Sequence, residues 1–190
     1  MKKTDNRNIN IALLGAGTVG GGVYRLIKEN REEFKDRTGA VINVKKVLVR
    51  DMSKDRPGFD KAVLTDDFNE IISDKDIEIV VELMGGLHPA LEYVTESLKA
   101  GKQVVTANKD LIAEHGELIG NLAEQMGSDL LFEAAVAGAI PIIRPLKQSM
   151  SRNNISAIMG IVNGKTNYIL TKMSETGMSY SDALAKPTEL

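Results

Sequence analysis

The chain has 190 residues, 43% of them apolar and 26% charged, with a formal net charge of -2; this is ordinary globular composition, and the near-neutral balance argues against a nucleic-acid footprint. The absence of cysteine removes disulfides, thiolate metal sites and a thiol nucleophile together, and fits a reducing compartment. The polar start MKKTDNRN has no apolar run like a signal peptide's, and no window approaches the roughly 18 apolar residues of a membrane span, so the sequence predicts a cytoplasmic protein with room for one core, or for one domain and the start of a second.

In chain order, INIALL (9–14) reads as a buried strand. Residues 18–34 have helical spacing, with Val19, Val23, Leu26 and Ile27 on one stripe. VINVKKVLV (41–49) is a β-branched strand, and 66–72 a short helix capped by Asp66 or Asp67. IEIVVEL (77–83) is a third strand. A helix over 89–100 opens on proline and stops before Gly101. QVVT (103–106) is a fourth strand, 108–125 a long helix stopped by Gly127, and 129–132 a fifth strand. Apolar strands alternating with helices predict a parallel sheet covered on both faces. After Glu133 the pattern changes: VAGAIPIIRPLKQSM (136–150) is apolar and rich in small residues, ISAIMGIV (155–162) reads as a strand, 166–174 as a helix, and 179–186 as a serine-capped helix start. The expected division is 1–133 and 134–190, the second part being the beginning of a larger domain.

Three stretches carry chemistry. Gly15, Gly17 and Gly20 form G-x-G-x-x-G between a strand and a helix. In that setting the first glycine permits a tight turn, the second lets backbone approach a pyrophosphate, and the third allows close helix–strand packing. The first-turn amides, with Thr18 and Val19 among them, then face the phosphates. Gly21 and Gly22 weaken the helix start and suggest that something packs closely there. At the end of the second strand, where an acidic residue would bind a ribose hydroxyl, stands Arg50, followed by Asp51, Lys54 and Arg56. Arg50 and Lys54 suit a 2′-phosphate and so NADP(H); the alternative is a solvated basic loop with Asp51 taking the ribose, and NAD(H) stays open. Lys109 follows a predicted cap, Asn108, and sits in a first helical turn where the helix dipole disfavours a cation. Its position suits a group reaching over the strand ends to hold a phosphate, carboxylate or reacting oxygen; the alternative is an exposed lysine.

These stretches resemble the N-terminal portion of homoserine dehydrogenase. The matching segments are GAGTVGGGV (15–23), VVELMGG (80–86), VVTANKDLIA (104–113), FEAAVAGAIPIIRPL (132–146) and GIVNGKTNYIL (160–170). The resemblance implies a Rossmann-type doubly wound sheet followed by the start of an α+β substrate and dimerisation domain. It implies reduction of aspartate semialdehyde to homoserine with NADPH or NADH, on the route to threonine, methionine and isoleucine, by a homodimer when full length. Residue by residue, it implies that Lys109 assists proton transfer between nicotinamide and substrate. It implies that Met84, Gly85 and Gly86 touch the cofactor, and that Glu133 with the carbonyls of Val136, Gly138 and Ile140 holds a structural sodium ion. The substrate loop after Gly164 departs from the family: Lys165 stands where a threonine touches substrate, and it either binds the substrate carboxylate or fills its space. The remaining substrate carboxylates and a second catalytic lysine of the family lie beyond position 190, so the 190 residues are expected to bind cofactor and turn over slowly or not at all. The alternatives are another Rossmann reductase, of which aspartate-semialdehyde dehydrogenase is strongly disfavoured by the missing thiol, and a non-catalytic NADP(H)-binding module. His88 is expected in a loop and His115 exposed, neither in a metal motif, and Arg144 and Lys147 are expected to be structural.

Overall fold

The structure, a computed structural model, describes residues 7–185. Among the described residues, six strands form one parallel sheet: β1 (Arg7–Leu14), β2 (Ala40–Leu48), β3 (Leu64–Thr65), β4 (Ile77–Glu82), β5 (Gln103–Thr106) and β6 (Leu130–Leu131), ordered β3-β2-β1-β4-β5-β6. The chain therefore winds outward from β1 in one direction and, after β3, returns to β4 and winds outward in the other. The seam between β1 and β4 is the topological switch point, outside which ligands bind in open sheets of this kind.

Helices α1 (Thr18–Glu29), α2 (Arg31–Thr38), α3 (Asn69–Ile72), α4 (Ala90–Lys99) and α5 (Lys109–Met126) link the strands. Side chains alternate across a strand, so β1 feeds two cores. Ile11 and Leu13 pack with Val47 and with Tyr24 of α1. Ala12 and Leu14 pack on the other face with Val80, Phe68 and Ile71. Val104 of β5 joins Val94 and Leu98 of α4 and Leu111 and Ile119 of α5. The expectation of a parallel sheet covered on both faces holds.

Several local expectations are corrected. The helix over 18–34 is two helices, because the chain turns at Asn30, whose side-chain amide donates to the Leu26 carbonyl at 2.9 Å. The inward stripe of α1 is Gly20, Val23, Tyr24 and Ile27, while Val19 and Leu26 are 55% and 54% exposed; the helix is rotated so that Gly20, not Val19, meets the sheet. The helix over 66–72 starts only at Asn69, whose amide bonds to the Asp67 carboxylate at 2.8 Å. The two-residue β3 is too short to carry a periodic signal.

The described chain divides into two compact units, one reaching Gly138 and one starting at Ala139. In the second, α6 (Gly164–Thr176) and α7 (Tyr180–Ala185) bury Ile169 and Ala183. Asn163 caps α6 by accepting the Thr166 amide at 2.9 Å, and the Ser179 hydroxyl accepts the Asp182 amide at 3.2 Å, as the serine cap predicted. The strand expected over 155–162 does not form: Ile158, Met159, Ile161 and Val162 lie exposed in irregular chain. A β-branched run becomes a strand only when a neighbour takes up its backbone hydrogen bonds, and no such neighbour exists among the described residues.

The amino ends of the strands are tied by charge. Lys102, 4% exposed, donates to the carbonyls of Asp74 at 2.7 Å and Ile77 at 2.9 Å, and burial pushes its ammonium below the usual lysine range. Lys45 bridges Asp74 at 2.7 Å and Asp76 at 3.0 Å; its hydrogen bond holds the Asp74 carboxyl below its ordinary value. A carboxyl depressed by folding adds stability that is complete above its unfolded pKa and disappears as pH falls through the folded value. Asp74→Asn should therefore lower the melting temperature near neutral pH and converge on the parent in acid. Circular-dichroism melts from about pH 7 to about pH 2 check this, and a gap that stays constant across that range contradicts it.

Candidate functional site

Gly15 ends β1 at φ 111°, where its amide donates to the Leu48 carbonyl at 3.0 Å. A β-carbon there would lie 3.0 Å from the Leu83 carbonyl oxygen of the neighbouring chain after β4. At Gly20 a β-carbon would lie 2.1 Å from the Gly15 carbonyl oxygen, closer than any atom can approach, so the helix reaches the turn only through glycine. At Gly17 a β-carbon would meet nothing within 4 Å. Gly17 caps α1 without a side-chain hydrogen bond, and Gly17, Thr18 and Val19 are exposed. The first-turn amides of a helix have no intrahelical partner, so this mouth is an open row of donors with positive dipole behind it. Gly15 and Gly20 thus have the turn and packing tasks that their spacing predicts, and Gly17 faces open space.

The loop after β2 is internally braced. The Asp51 carboxylate accepts the Ser53 amide at 2.8 Å and the Ser53 hydroxyl at 2.6 Å, bonds that hold it below the usual carboxylate range. Arg56 donates to the carbonyls of Asp51 at 2.7 Å and Lys54 at 3.0 Å. Phe59 then packs on Tyr24 of α1 with ring centroids 4.7 Å apart, and the Asp60 amide donates to the Tyr24 hydroxyl at 3.4 Å. Phe59 is also the side chain facing Gly21, at 3.8 Å from a would-be β-carbon, an ordinary contact that alanine would also fit, and nothing lies within 4 Å at Gly22, so the close packing suggested by the two surplus glycines is not found at them. Arg50 and Lys54 are exposed. Asp51 serves its own turn and Arg56 the loop backbone, which leaves Arg50 and Lys54 as the cations facing solvent.

The turn after β4 is the third wall. Leu83 donates to the Leu14 carbonyl at 2.9 Å, and Gly85 and Gly86 follow at φ 74° and 73°, a conformation suited to glycine. Beneath the turn lies Glu82, 0% exposed. One carboxylate oxygen accepts the Met84 amide at 2.8 Å and the Gly85 amide at 3.3 Å; the other accepts the Thr106 hydroxyl at 2.5 Å. Thr106 in turn accepts the Asn108 amide at 3.0 Å. Asn108 caps α5 as expected, accepting the Leu111 amide at 3.1 Å, and its side-chain NH2 reaches the Gly86 carbonyl at 2.6 Å. Lys109, the next residue, is exposed. Glu82 and Thr106 are absent from the sequence reading; the signal that could have found them is a carboxylate inside the apolar run IEIVVEL, since carboxylates are almost never fully buried without partners.

Other expected residues sit elsewhere. Gly164 and Lys165 open α6 in the second unit and are exposed. Glu133 begins a 3-10 turn, Glu133–Ala135, followed by Val136. Ala137, Gly138 and Ala139 take φ 56°, 30° and 63°, and Ile140 is 56% exposed. His88 is an exposed loop histidine, as expected, 2.6 Å from Glu92. His115, expected to be exposed, is half-buried on α5.

With this geometry in view, the comparisons decide the family. The family model described as homoserine dehydrogenase, NAD binding domain, matches residues 15–133, and the model described as homoserine dehydrogenase matches 141–190. The chain belongs to the homoserine dehydrogenase family. It is 48% identical over 182 residues to a homoserine dehydrogenase of Corynebacterium glutamicum and 42% identical over 183 residues to one of Bacillus subtilis. These alignments take in 96% of this chain but only 41% and 42% of those proteins. The chain thus spans about two-fifths of the length of its relatives. The crystal structure of a homoserine dehydrogenase from Thiobacillus denitrificans matches 96% of this chain and 42% of its own with TM-score 0.83 and 41% identity. A hyperthermophilic archaeal homoserine dehydrogenase in complex with NADPH matches 96% of this chain and 61% of its own with TM-score 0.73 and 27% identity. The expected fold class, a Rossmann-type parallel sheet, is that of the family.

Gly20→Ala is the sharpest test of the glycine mouth. The added methyl forces helix and turn apart, so the variant should unfold at lower denaturant than the parent and lose affinity for a nicotinamide cofactor. Gly17→Ala, in open space, should keep parental stability while losing affinity. Denaturant unfolding beside a cofactor titration separates the two.

Proposed function

We propose that this chain is the cofactor-binding portion of a homoserine dehydrogenase that interconverts L-homoserine and L-aspartate 4-semialdehyde with NADP(H), and less favourably with NAD(H). The observation that carries the reading is the meeting of three segments at the switch point. The glycine turn lies against Leu83, the turn after Leu83 is held by Glu82, and Asn108 joins that turn to the start of α5. When bound, the cofactor supplies the hydride for a carbonyl carbon.

The chain supplies the groups that hold and orient the cofactor. The amides around Gly15, Gly17, Thr18, Val19 and Gly20 hold the diphosphate. Arg50 and Lys54 hold a 2′-phosphate, while Asp51 turns one carboxylate oxygen toward Ser53. The turn Met84–Gly85–Gly86 flanks the nicotinamide. Lys109 projects from α5 with three donors and a positive charge, and serves the substrate oxygen as electrostatic stabiliser and proton donor. Gly164 and Lys165 contact substrate, the Lys165 ammonium pairing with its carboxylate. Glu133 and the carbonyls of Val136, Gly138 and Ile140 hold a sodium ion. Oxygen donors suit a hard cation, and left-handed alanines on either side of Gly138 are a strained arrangement that carbonyl ligation would offset. The division 1–133 and 134–190, a homodimer for the full-length protein and a cytoplasmic location complete the proposal. Cofactor binding is the share of the activity that these 190 residues carry, with turnover slow or absent.

Titration followed by nicotinamide fluorescence should show NADPH binding more tightly than NADH. Arg50→Ala should weaken NADPH by about tenfold, the order of one charge-assisted hydrogen bond, and leave NADH nearly unchanged. NADPH consumption with aspartate semialdehyde tests turnover: binding without consumption in the full-length protein as well would favour a non-catalytic NADP(H)-binding module.

A further inference from the structure

We propose that Glu82 is a positioning residue, whose buried carboxylate fixes the nicotinamide-side turn and the helix start bearing Lys109 relative to each other; this rests on the cofactor reading above. The placement is costly. Val80 and Glu82 of β4 stand in register with Val104 and Thr106 of β5, so Glu82 continues an inward-facing apolar row. Removing a carboxylate from water is unfavourable until partners compensate, and an aliphatic side chain would suit the sheet better.

The partners form a closed ring. Glu82 accepts the amides of Met84 and Gly85 on one oxygen and the Thr106 hydroxyl on the other. Thr106 accepts the Asn108 amide. Asn108 donates to the Gly86 carbonyl, which returns to the turn where the ring began. No buried side-chain nitrogen or oxygen lacks a partner among the described residues. A closed ring in a low-dielectric site is stiff, because loosening one bond loosens its neighbours. Lys109 and Met84–Gly86 are the segments attached to it.

The order of donors explains why a carboxylate stands there. Three donors converge on Glu82: two amides and a hydroxyl. The hydroxyl donates to Glu82, because a carboxylate oxygen only accepts. A glutamine has the same shape but must turn an NH2 toward either the two amides or the hydroxyl. With its NH2 toward the amides it sets donor against donor; with its NH2 toward Thr106 the hydroxyl becomes the acceptor and its own proton loses the carboxylate. Glu82→Gln therefore breaks or reverses a bond of the ring without changing side-chain size. Thr106→Val opens it from the other side, and Thr106→Ser keeps it closed.

The test is NADPH titration by nicotinamide fluorescence on the 190-residue chain, with melting temperatures measured alongside. Glu82→Gln and Thr106→Val should each raise the NADPH Kd about tenfold, and the double variant should bind no more weakly than either alone, since both cut one network. Thr106→Ser should stay within about twofold of the parent. The proposal is overturned if the two single variants melt earlier but bind NADPH within about twofold of the parent, or if their losses multiply in the double variant. Should Glu82→Gln fail to fold, Thr106→Val against Thr106→Ser decides alone. Failure of the parent itself to bind NADPH overturns the cofactor reading and this proposal with it; parental binding with unaffected variants overturns only the proposal.

Discussion

The contact between Gly20 and the Gly15 carbonyl is the constraint on which the rest of the site depends. With no side chain at Gly20, α1 lies directly on the turn that ends β1, and its first-turn amides emerge at the carboxyl edge of the sheet. A helix held off by one methyl group would present those donors elsewhere. The same closeness explains why the inward stripe of α1 starts from glycine and continues through Val23, Tyr24 and Ile27. The anchoring of Phe59 on Tyr24 then carries the effect onward to the loop that bears Arg50 and Lys54.

The two ends of the sheet use buried charge differently. At the amino end, Lys102 donates to the carbonyls of Asp74 and Ile77, and Lys45 holds the carboxylate of Asp74. These contacts tie a connecting segment to the strands. At the carboxyl end, Glu82 collects the amides of the next turn and the hydroxyl of the adjacent strand. That second arrangement lies beside the open donors of α1, at the one seam where the winding direction reverses. A sheet with only apolar side chains at that seam would pack well but would leave the turn after β4 free to move.

Strands 9–14, 41–49, 77–83 and 103–106 were legible because each is an apolar run bounded by glycine, proline or charge, and the structure forms them within one residue or two. The cap at Asn108 and the stop at Gly127 were legible because capping is local chemistry. The break at Asn30 was not, since asparagine inside a charged helical run carries no strong stop signal. The run 155–162 has strand composition and no strand, because a strand's backbone is satisfied by a neighbour, which composition does not supply.

The sequence by itself determined the alternation of strand and helix, the glycine spacing at 15, 17 and 20, and the motifs that tie the chain to its family. Those properties are local: they depend on residues a few positions apart. Only the tertiary structure decided that Glu82 and Thr106 meet, that Asn108 closes onto Gly86, and that Asp51 turns toward Ser53 instead of standing free. Glu82 and Thr106 are 24 residues apart and become neighbours through parallel pairing of β4 and β5. No periodicity encodes such a meeting, because it depends on strand register and on which partner has a proton to give.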